Sequence, residues 1–214
     1  MRRRPVPRAS SRATRESILA AALEEFAAKG YDGGRMDRIA RSAGLNKNVL
    51  YHHFGSKDDL FTAVLEHTYE QIRKRQRDLQ LRTLDPVEGM RRLVTFTARI
   101  WIQFPQFLRL LHSENLHGGR HVRRSRRIAR LYDPLRDTMD DLLTRGARSG
   151  AFRSGIDPID LYISISALTA HYISNHDTLE AIFGERLMTP ARLKQRLAHA
   201  SDMVVRYLLR APRG

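Results

Sequence analysis

Cysteine is absent from this chain of 214 residues, which excludes disulfide bonds and metal sites built on thiolate ligands. This absence is compatible with a reducing compartment such as the cytosol. Long hydrophobic runs are also missing. The most apolar stretch, residues 156–173, is interrupted by aspartate, serine and histidine, so we predict a buried helix there and no membrane partner.

Negative charge is scarce beside positive charge, since 38 lysines and arginines face 23 aspartates and glutamates, giving a net charge of +15. Such an excess favours a polyanionic partner, nucleic acid first and an anionic membrane surface second. The basic residues 1–11 are expected to be disordered on their own, either as a solvated tail or as an arm along a DNA backbone. No apolar segment near this end is long enough for a secretory signal.

Patterns typical of β-strands are missing too, whereas apolar residues recur at helical spacing along most of the chain. We predict an all-α fold of about nine or ten helices. The first is expected to run from Thr14, as its N-cap, to Lys29, followed by the helix-ending Gly30. Later helices are predicted to begin at Ser56, Asp85, Arg120 (one long basic helix to about Arg148), Asp157 and Thr189, and Pro105 is predicted to interrupt the helix that begins at Asp85.

The stretch from residue 35 to residue 54 predicts two short helices joined by a tight turn. In the first helix, apolar residues at spacings of three and four share one face: Met36, Ile39, Ala40 and Ala43. Gly44 suits the left-handed conformation that ends a helix, and Asn46 can cap the next one. Two helices joined in this way are typical of a helix-turn-helix, whose second helix enters the major groove of DNA.

Side chains suited to reading DNA lie on the second helix of this motif. Leu50 and Phe54 are predicted to point inward, with Val49 beside them or against a thymine methyl group. Asn48 can pair with adenine, and Lys47 can reach guanine or a phosphate. The set predicted to face outward is Lys47, Asn48, Tyr51 and His52.

Around the motif, from Gly30 to Phe61, the chain reads GYDGGRMDRIARSAGLNKNVLYHHFGSKDDLF. With this segment, residues 12–65 resemble the TetR/AcrR family of bacterial one-component regulators. The residues that carry the resemblance are Gly30, Tyr31, Met36, Ile39, Ala40, Ala43, Gly44, Leu50, Tyr51, His53, Phe54, Ser56, Lys57, Leu60 and Phe61.

The resemblance implies phosphate contacts by Tyr51, His53 and Lys57, although His53 could equally be a buried, hydrogen-bonded core residue. One departure is Arg35, which stands where the family usually has Thr or Ser as an N-cap. We expect a backbone-only helix start there or a direct phosphate contact by Arg35. The predicted DNA-binding set is Arg35, Asn46, Lys47, Asn48, Val49, Tyr51, His52, His53 and Lys57.

Two domains are implied by the resemblance: a three-helix DNA-binding domain at residues 12–60 and a ligand-binding and dimerisation domain at residues 61–214. The expected function is that of a dimeric repressor in the bacterial cytoplasm, associated with the nucleoid. It would bind a palindromic operator in double-stranded DNA until a small organic effector released it. The alternatives are an activator of the same family, or a basic helical module that binds RNA or an anionic membrane.

In the second domain, we predict dimerisation through residues 157–176 and 190–210, which would form a four-helix bundle across a two-fold axis. The predicted effector pocket includes Trp101, Phe104, Phe107 and Tyr132, although aromatic residues in a helical domain can simply be core. A basic cluster near the end of the helix that is predicted to begin at Ser56 is expected to form a solvated face: Arg73, Lys74, Arg75 and Arg77.

Signals for an enzyme are lacking, because there is no Gly-rich phosphate loop, no nucleophile elbow and no convergent pair of carboxylates. One cluster has metal-ligand residue types: His112, Glu114, His117 and His121. A run of arginines directly after it would repel a cation. We therefore predict no catalytic activity, no metal and no cofactor.

Overall fold

The computed structural model of the chain describes residues 8–210, with side chains from residue 11 onward. This part folds into eleven α-helices and one short 3-10 helix, which confirms the all-α fold. The helices are α1 Arg8–Gly33, α2 Met36–Ser42, α3 Lys47–Phe54, α4 Lys57–Arg77, the 3-10 helix Leu81–Thr83, α5 Pro86–Gln103, α6 Pro105–Leu116, α7 Arg120–Arg124, α8 Arg126–Arg148, α9 Pro158–Ser174, α10 His176–Phe183 and α11 Pro190–Leu208. Across residues 8–210, no helix combines the length and the apolar character needed to cross a membrane.

The described residues divide into two compact units. Unit 1 contains residues 8–71 and 106–129. In its core, the ring of Phe26 from α1 meets the ring of Phe61 from α4 edge to face, with 5.0 Å between centroids. Buried apolar residues from α1, α2, α3 and α4 surround this pair: Ile18, Leu19, Ala22, Ile39, Leu50, Leu60 and Leu65. Burial of this apolar surface fixes the three amino-terminal helices on one another.

Unit 2 contains residues 72–105 and the described residues from 130 onward. Its core lies between α5, α8, α9 and α11 and includes Met90, Leu93, Met139, Leu142, Leu161, Ile165, Val204 and Leu208. A β-carbon on Gly146 of α8 would overlap the buried ring of Phe152, so the helix can approach that ring only without a side chain there. The predicted starts of the three helices that have a proline in their first turn are confirmed. Asp85, Asp157 and Thr189 are the N-caps of α5, α9 and α11.

The first helix begins earlier than predicted. α1 already includes Arg8, so Thr14 lies inside the helix and cannot be its N-cap. Residues 1–7 of the predicted basic arm lie outside the described residues, while residues 8–11 are helical. The predicted break after Lys29 is confirmed, because Gly30 has φ +66°, a non-helical conformation that glycine adopts cheaply. Residues 31–33 form one more short turn beyond this kink.

The single basic helix predicted from residue 120 to residue 148 is wrong, because the chain breaks at Ser125. That residue is extended, with φ −94° and ψ 99°. Its hydroxyl accepts a hydrogen bond from the backbone N–H of Ile128 at 3.1 Å and donates one to Glu66 at 2.6 Å. Ser125 therefore acts as an N-cap that starts α8 anew.

Two further expectations for the carboxyl-terminal half need correction. Residues 156–173 were predicted to form a buried helix, yet α9 leaves Ile159 and Ile163 more than half exposed. The short α10, which follows α9 directly, was not predicted. The predicted division of function after residue 60 stays a prediction, but residues 106–129 pack with the amino-terminal helices, which the sequence did not indicate.

Candidate nucleic-acid interface

The start of α2 is held by a glutamate from α1. Arg35 is the N-cap residue with φ −120° and ψ 127°, and its side chain makes no capping hydrogen bond. Its backbone N–H instead donates to Oε1 of Glu25 at 3.0 Å, and the same oxygen lies 2.9 Å from Nε of Arg38. As expected, the Arg35 side chain does not cap the helix, but the start is not backbone-only, because the Glu25 carboxylate accepts the Arg35 N–H. Glu25 is a positioning residue that sequence reasoning missed, because it lies ten residues away on another helix.

The turn between α2 and α3 has the predicted chemistry. Gly44 has φ +67°, and the N–H of Leu45 donates to the carbonyl of Ala40 at 2.9 Å, which closes the end of α2. The side-chain oxygen of Asn46 accepts the backbone N–H of Asn48 at 2.9 Å, so Asn46 is the N-cap of α3. Asn46 keeps its side-chain NH₂ group for other partners.

On α3, the division into inner and outer faces is as predicted for most positions. Leu50 and Phe54 are buried and anchor the helix in unit 1. Exposed positions on the helix are Lys47, Asn48, Tyr51 and His52. Val49 and His53 are half-buried. This position is compatible with both roles considered for each residue, packing in the core and contact with DNA. The exposed face presents a cation, an amide, a phenol and an imidazole within six consecutive residues, a set that can serve both phosphate and base contacts.

Lys57 is oriented toward its own protein. Its ammonium donates to the backbone carbonyl of Asp32 at 3.2 Å and lies 4.7 Å from the centre of the Tyr31 ring. Burial lowers the pKa of Lys57, and the negative charges of Asp32 and Asp58 oppose that shift. A phosphate contact by Lys57 stays a prediction, and it would require the ammonium to leave or share these partners.

The histidine cluster that could have been a metal site serves another purpose in unit 1. His121 is fully buried, and its Nδ1 lies 2.6 Å from Oε2 of Glu114. His117 lies 3.1 Å from the carboxylate of Asp32 through Nε2. In the described part of the chain, no three His, Asp or Glu side chains converge as metal ligands would. His112 is exposed and outside these contacts.

Tyr31 and Asp58 join this cluster to the helices of the motif. The Tyr31 hydroxyl donates a short hydrogen bond to Asp58, which holds the pKa of Asp58 below its usual range. Burial, followed by the same hydrogen bond, raises the pKa of Tyr31. The ring of Tyr31 packs against those of Phe61 and His121, at 5.2 and 4.8 Å between centroids. The end of α1, the start of α4 and α7 are therefore fixed to one another through one polar cluster.

The four residues predicted to line an effector pocket are divided between the two units, and the pocket stays a prediction. Trp101, Phe104 and Tyr132 belong to unit 2, while Phe107 is buried in unit 1, edge to face with Tyr69. Trp101 is a core residue whose indole N–H donates to Thr169 at 3.0 Å.

A cavity of about 540 Å³ in unit 2 lies between the end of α4, the 3-10 helix and the first half of α8. Tyr132, one of the predicted residues, lies next to its lining, because its ring packs 4.5 Å from the guanidinium of Arg73. Arg73, expected on a solvated face, is 7% exposed.

Exposed apolar side chains follow two helices of unit 2. On α9, Ile159 and Ile163 are 53% and 58% exposed, and on α11, Met203 and Tyr207 are 44% and 54% exposed. The residues of each pair are four positions apart and so share a helix face. The two helices contact each other, as shown by the hydrogen bond of 2.6 Å from Arg196 to the carbonyl of Leu168. Such an uncovered apolar surface is typical of an interaction site.

Comparison with known families matches two separate stretches of the chain. Residues 18–64 match the family described as bacterial regulatory proteins, tetR family. Residues 86–204 match the family described as tetracyclin repressor-like, C-terminal domain.

Individual relatives agree with these matches. The HTH-type transcriptional repressor NicS of Pseudomonas putida is 34% identical over 92% of this chain and 93% of its own length. The HTH-type transcriptional activator FasR of Mycolicibacterium smegmatis is 30% identical over 76% of this chain and 73% of its own. A crystal structure of a TetR transcriptional regulator from Chloroflexus aurantiacus shares the fold, with a TM-score of 0.71 at 21% identity over 95% of this chain and all of that one.

Proposed function

The chain belongs to the TetR family of DNA-binding transcriptional regulators, and we propose that it acts within this family as a dimeric repressor. Two copies would bind a palindromic operator in double-stranded DNA, in the bacterial cytoplasm. A small organic effector would bind between helices of the carboxyl-terminal part, predicted to span residues 61–214, and release the operator.

The observation that carries this proposal is the exposed face of α3. Leu50 and Phe54 anchor the helix, so Lys47 and Asn48 stand on its first turn, away from the core. The first turn of a helix also presents unpaired N–H groups and a partial positive charge, both of which attract phosphate. Lys47 and Asn48 would read bases while Tyr51 and His52, one turn further on, lie near the backbone.

Repression is favoured over the other readings by the relative NicS, which is named a repressor and aligns along almost the whole chain. A dimer bound across a promoter would block access to it.

Dimerisation is supported by the exposed apolar residues of α9 and α11. Ile159, Ile163, Met203 and Tyr207 would be covered by the same surface of a second copy, as two-fold symmetry requires. The apolar sequence of α9 is then explained: residues that look like core in the sequence would be buried between subunits.

Release would follow from a change in the separation of the two α3 helices. Symmetric helix-turn-helix dimers place these helices about 34–36 Å apart, one turn of DNA. An effector that binds only a state with another separation lowers operator affinity in proportion to its preference for that state.

Selection of a random double-stranded DNA library on the purified protein tests this function. The expected product is an inverted repeat, which reports sequence preference and two-fold symmetry together. Enrichment of an asymmetric site would contradict the dimeric arrangement. Recovery of no common sequence would favour the alternative of a basic module that binds RNA or anionic membranes.

An activator is the second candidate, because the relative FasR is named an activator. Transcription in vitro from a promoter that carries the selected site separates the two. Added protein reduces transcript from that promoter if the chain is a repressor and increases it if the chain is an activator, while a promoter with a scrambled site stays unchanged.

A further inference from the structure

The cavity at the end of α4 contains an unusual set of charges. Four guanidinium groups line it, from Arg73, Arg77, Arg82 and Arg130, together with the carboxylates of Asp133 and Asp137. Among the residues that the structure describes, none of these six side chains has an oppositely charged group within 4.0 Å. The lining thus carries more positive than negative charge, and its volume of about 540 Å³ lies in the range of small-molecule sites.

Arg73 is the buried member of this set. Its terminal nitrogens donate to the side chain of Gln76 and, at 3.4 Å, to the hydroxyl of Tyr162. The guanidinium plane packs 4.5 Å from the Tyr132 ring centre, and Nε has no hydrogen-bond partner. Arginine carries five N–H donors, so two contacts leave three N–H groups unused.

A buried cation without a counter-ion is costly, because burial removes its hydration and nothing in the protein replaces it. Gln76 and Tyr162 offer only neutral oxygens to Arg73. A ligand that brings a negative charge into the cavity would remove this cost. The free Nε–H, together with an unused N–H of a terminal nitrogen, can donate to the oxygens of a carboxylate.

We propose that this cavity binds a small organic monocarboxylate, held by Arg73, and that this anion is the effector. The proposal rests on the effector-released repressor described above and names the chemical class of its ligand. The two aspartates at the cavity disfavour a ligand of higher negative charge, such as a phosphate dianion. Leu81, Pro134 and Leu135 give the cavity an apolar side for the hydrocarbon part of the acid.

The test compares acids with their neutral counterparts on the full-length protein. Octanoate and benzoate are each paired with the corresponding amide, octanamide and benzamide, and inorganic phosphate is included as a charged probe without a carbon body. Binding is measured as the rise in melting temperature and by isothermal titration. Release of the selected DNA site is followed by fluorescence anisotropy.

Substitutions at three arginines show whether a bound acid occupies the cavity. Arg73→Met removes the buried guanidinium, and Arg130→Met removes an exposed one that also lines the cavity. Arg148→Met, on the last turn of α8 and exposed, changes the net charge equally and serves as the control. We expect at least one acid to bind and release DNA, its amide and phosphate to bind at least tenfold more weakly, and Arg73→Met to lose at least tenfold in affinity for the acid.

Several outcomes overturn the proposal: no acid binds, the amides bind as well as the acids, phosphate binds best, or Arg73→Met keeps full affinity. If Arg73→Met does not fold, the test uses Arg130→Met. An acid affinity in Arg130→Met that equals that of the control Arg148→Met then counts against the site. DNA binding without ligand is measured in the same experiment. A chain that binds its site but ignores acids contradicts this inference alone, whereas a chain without sequence preference contradicts the proposed function.

Discussion

Nδ1 of His121 lies 2.6 Å from Oε2 of Glu114, and both side chains are almost completely buried. The other oxygen of Glu114 accepts the backbone N–H groups of His121 and Val122 at 2.7 and 2.9 Å. One carboxylate from α6 therefore satisfies three donors at the start of α7, where backbone N–H groups have no helical partner. This pair fixes α7 beneath Tyr31 and Phe61, and explains why histidines with metal-ligand spacing are structural in this protein.

Asn48→Ala should relax sequence preference at one position in each half of the operator. Loss of a bidentate contact to a base costs about 1–3 kcal/mol for the preferred base and little for the others. Lys47→Ala is the comparison. If Lys47 contacts a phosphate, its removal weakens binding to all sequences alike and lowers the number of counterions released on binding by about one. Binding to a panel of single-base operator variants measures both. Equal losses across the panel for Asn48→Ala would place base reading elsewhere on α3.

Ile163→Glu combined with Tyr207→Glu should give monomers. Each substitution puts a charge on the exposed apolar face of α9 or α11, which a second copy would have to remove from water. Sedimentation equilibrium should show a single-chain mass, and operator affinity should fall by more than tenfold.

Leu116→Glu provides the matched control, since Leu116 is 87% exposed and lies in α6 of unit 1. This variant should remain dimeric. Val204 on α11 is unsuitable for this test, because it is 4% exposed within the core of unit 2 and a glutamate there would unfold the chain. A folded double variant that stays dimeric would show that the interface lies elsewhere.

Glu25→Ala should destabilise the DNA-binding helices. The substitution removes the acceptor for the N–H of Arg35 and the ion pair with Arg38 at the start of α2. Loss of a helix cap costs about 0.5–2 kcal/mol, measured as the free energy of unfolding in urea.

Glu16→Ala, on the same helix, removes an exposed ion pair with Arg12 and should cost less than about 0.5 kcal/mol. Equal effects of the two substitutions would mean that Glu25 does not position α2.

His117 should make stability depend on pH. Its hydrogen bond to the Ser113 carbonyl, and then its contact with Asp32, raise the pKa of His117 above 6.5. A pKa raised by folding stabilises the folded state fully below about pH 6.5, and the gain disappears as pH rises through the folded value.

The free energy of unfolding of the parent, relative to His117→Gln, should therefore decrease between pH 6 and pH 8. We expect a modest change, because the Asp32 side chain is 83% exposed and solvent screens the pair. A difference that stays constant or increases with pH would contradict this assignment.

Local signals were enough to predict the DNA-binding motif. The cap at Asn46, the turn at Gly44 and the buried pair Leu50 and Phe54 depend on residues within one or two helical turns of each other. The role of Glu25 and the break at Ser125 depend on partners from other helices. Spacing along the chain carries no information on such partners.

Errors in unit 2 have a different cause. Arg73 belongs to a run of basic residues that is typical of a solvated face, but it is covered by Tyr132, which lies 59 positions further along the chain. The apolar sequence of α9 predicted a core helix, because hydrophobicity alone cannot distinguish burial within one subunit from burial between two. The aromatic residues predicted for an effector site stay a prediction, and the cavity of unit 2 adds four arginines that the sequence did not mark as a site.

The composition of unit 1 from two separate stretches has a consequence for protein engineering. Its core includes Phe107, Leu110 and His121 from the second stretch, so a fragment that ends after residue 71 would expose the apolar surface that these residues cover. A chimaeric regulator made by joining the amino-terminal helices of this chain to another protein's carboxyl-terminal domain would lack that cover. For this chain, the transplanted part has to carry residues 106–129 as well, or the recipient has to supply side chains that complement Phe61 and Tyr31 at the junction.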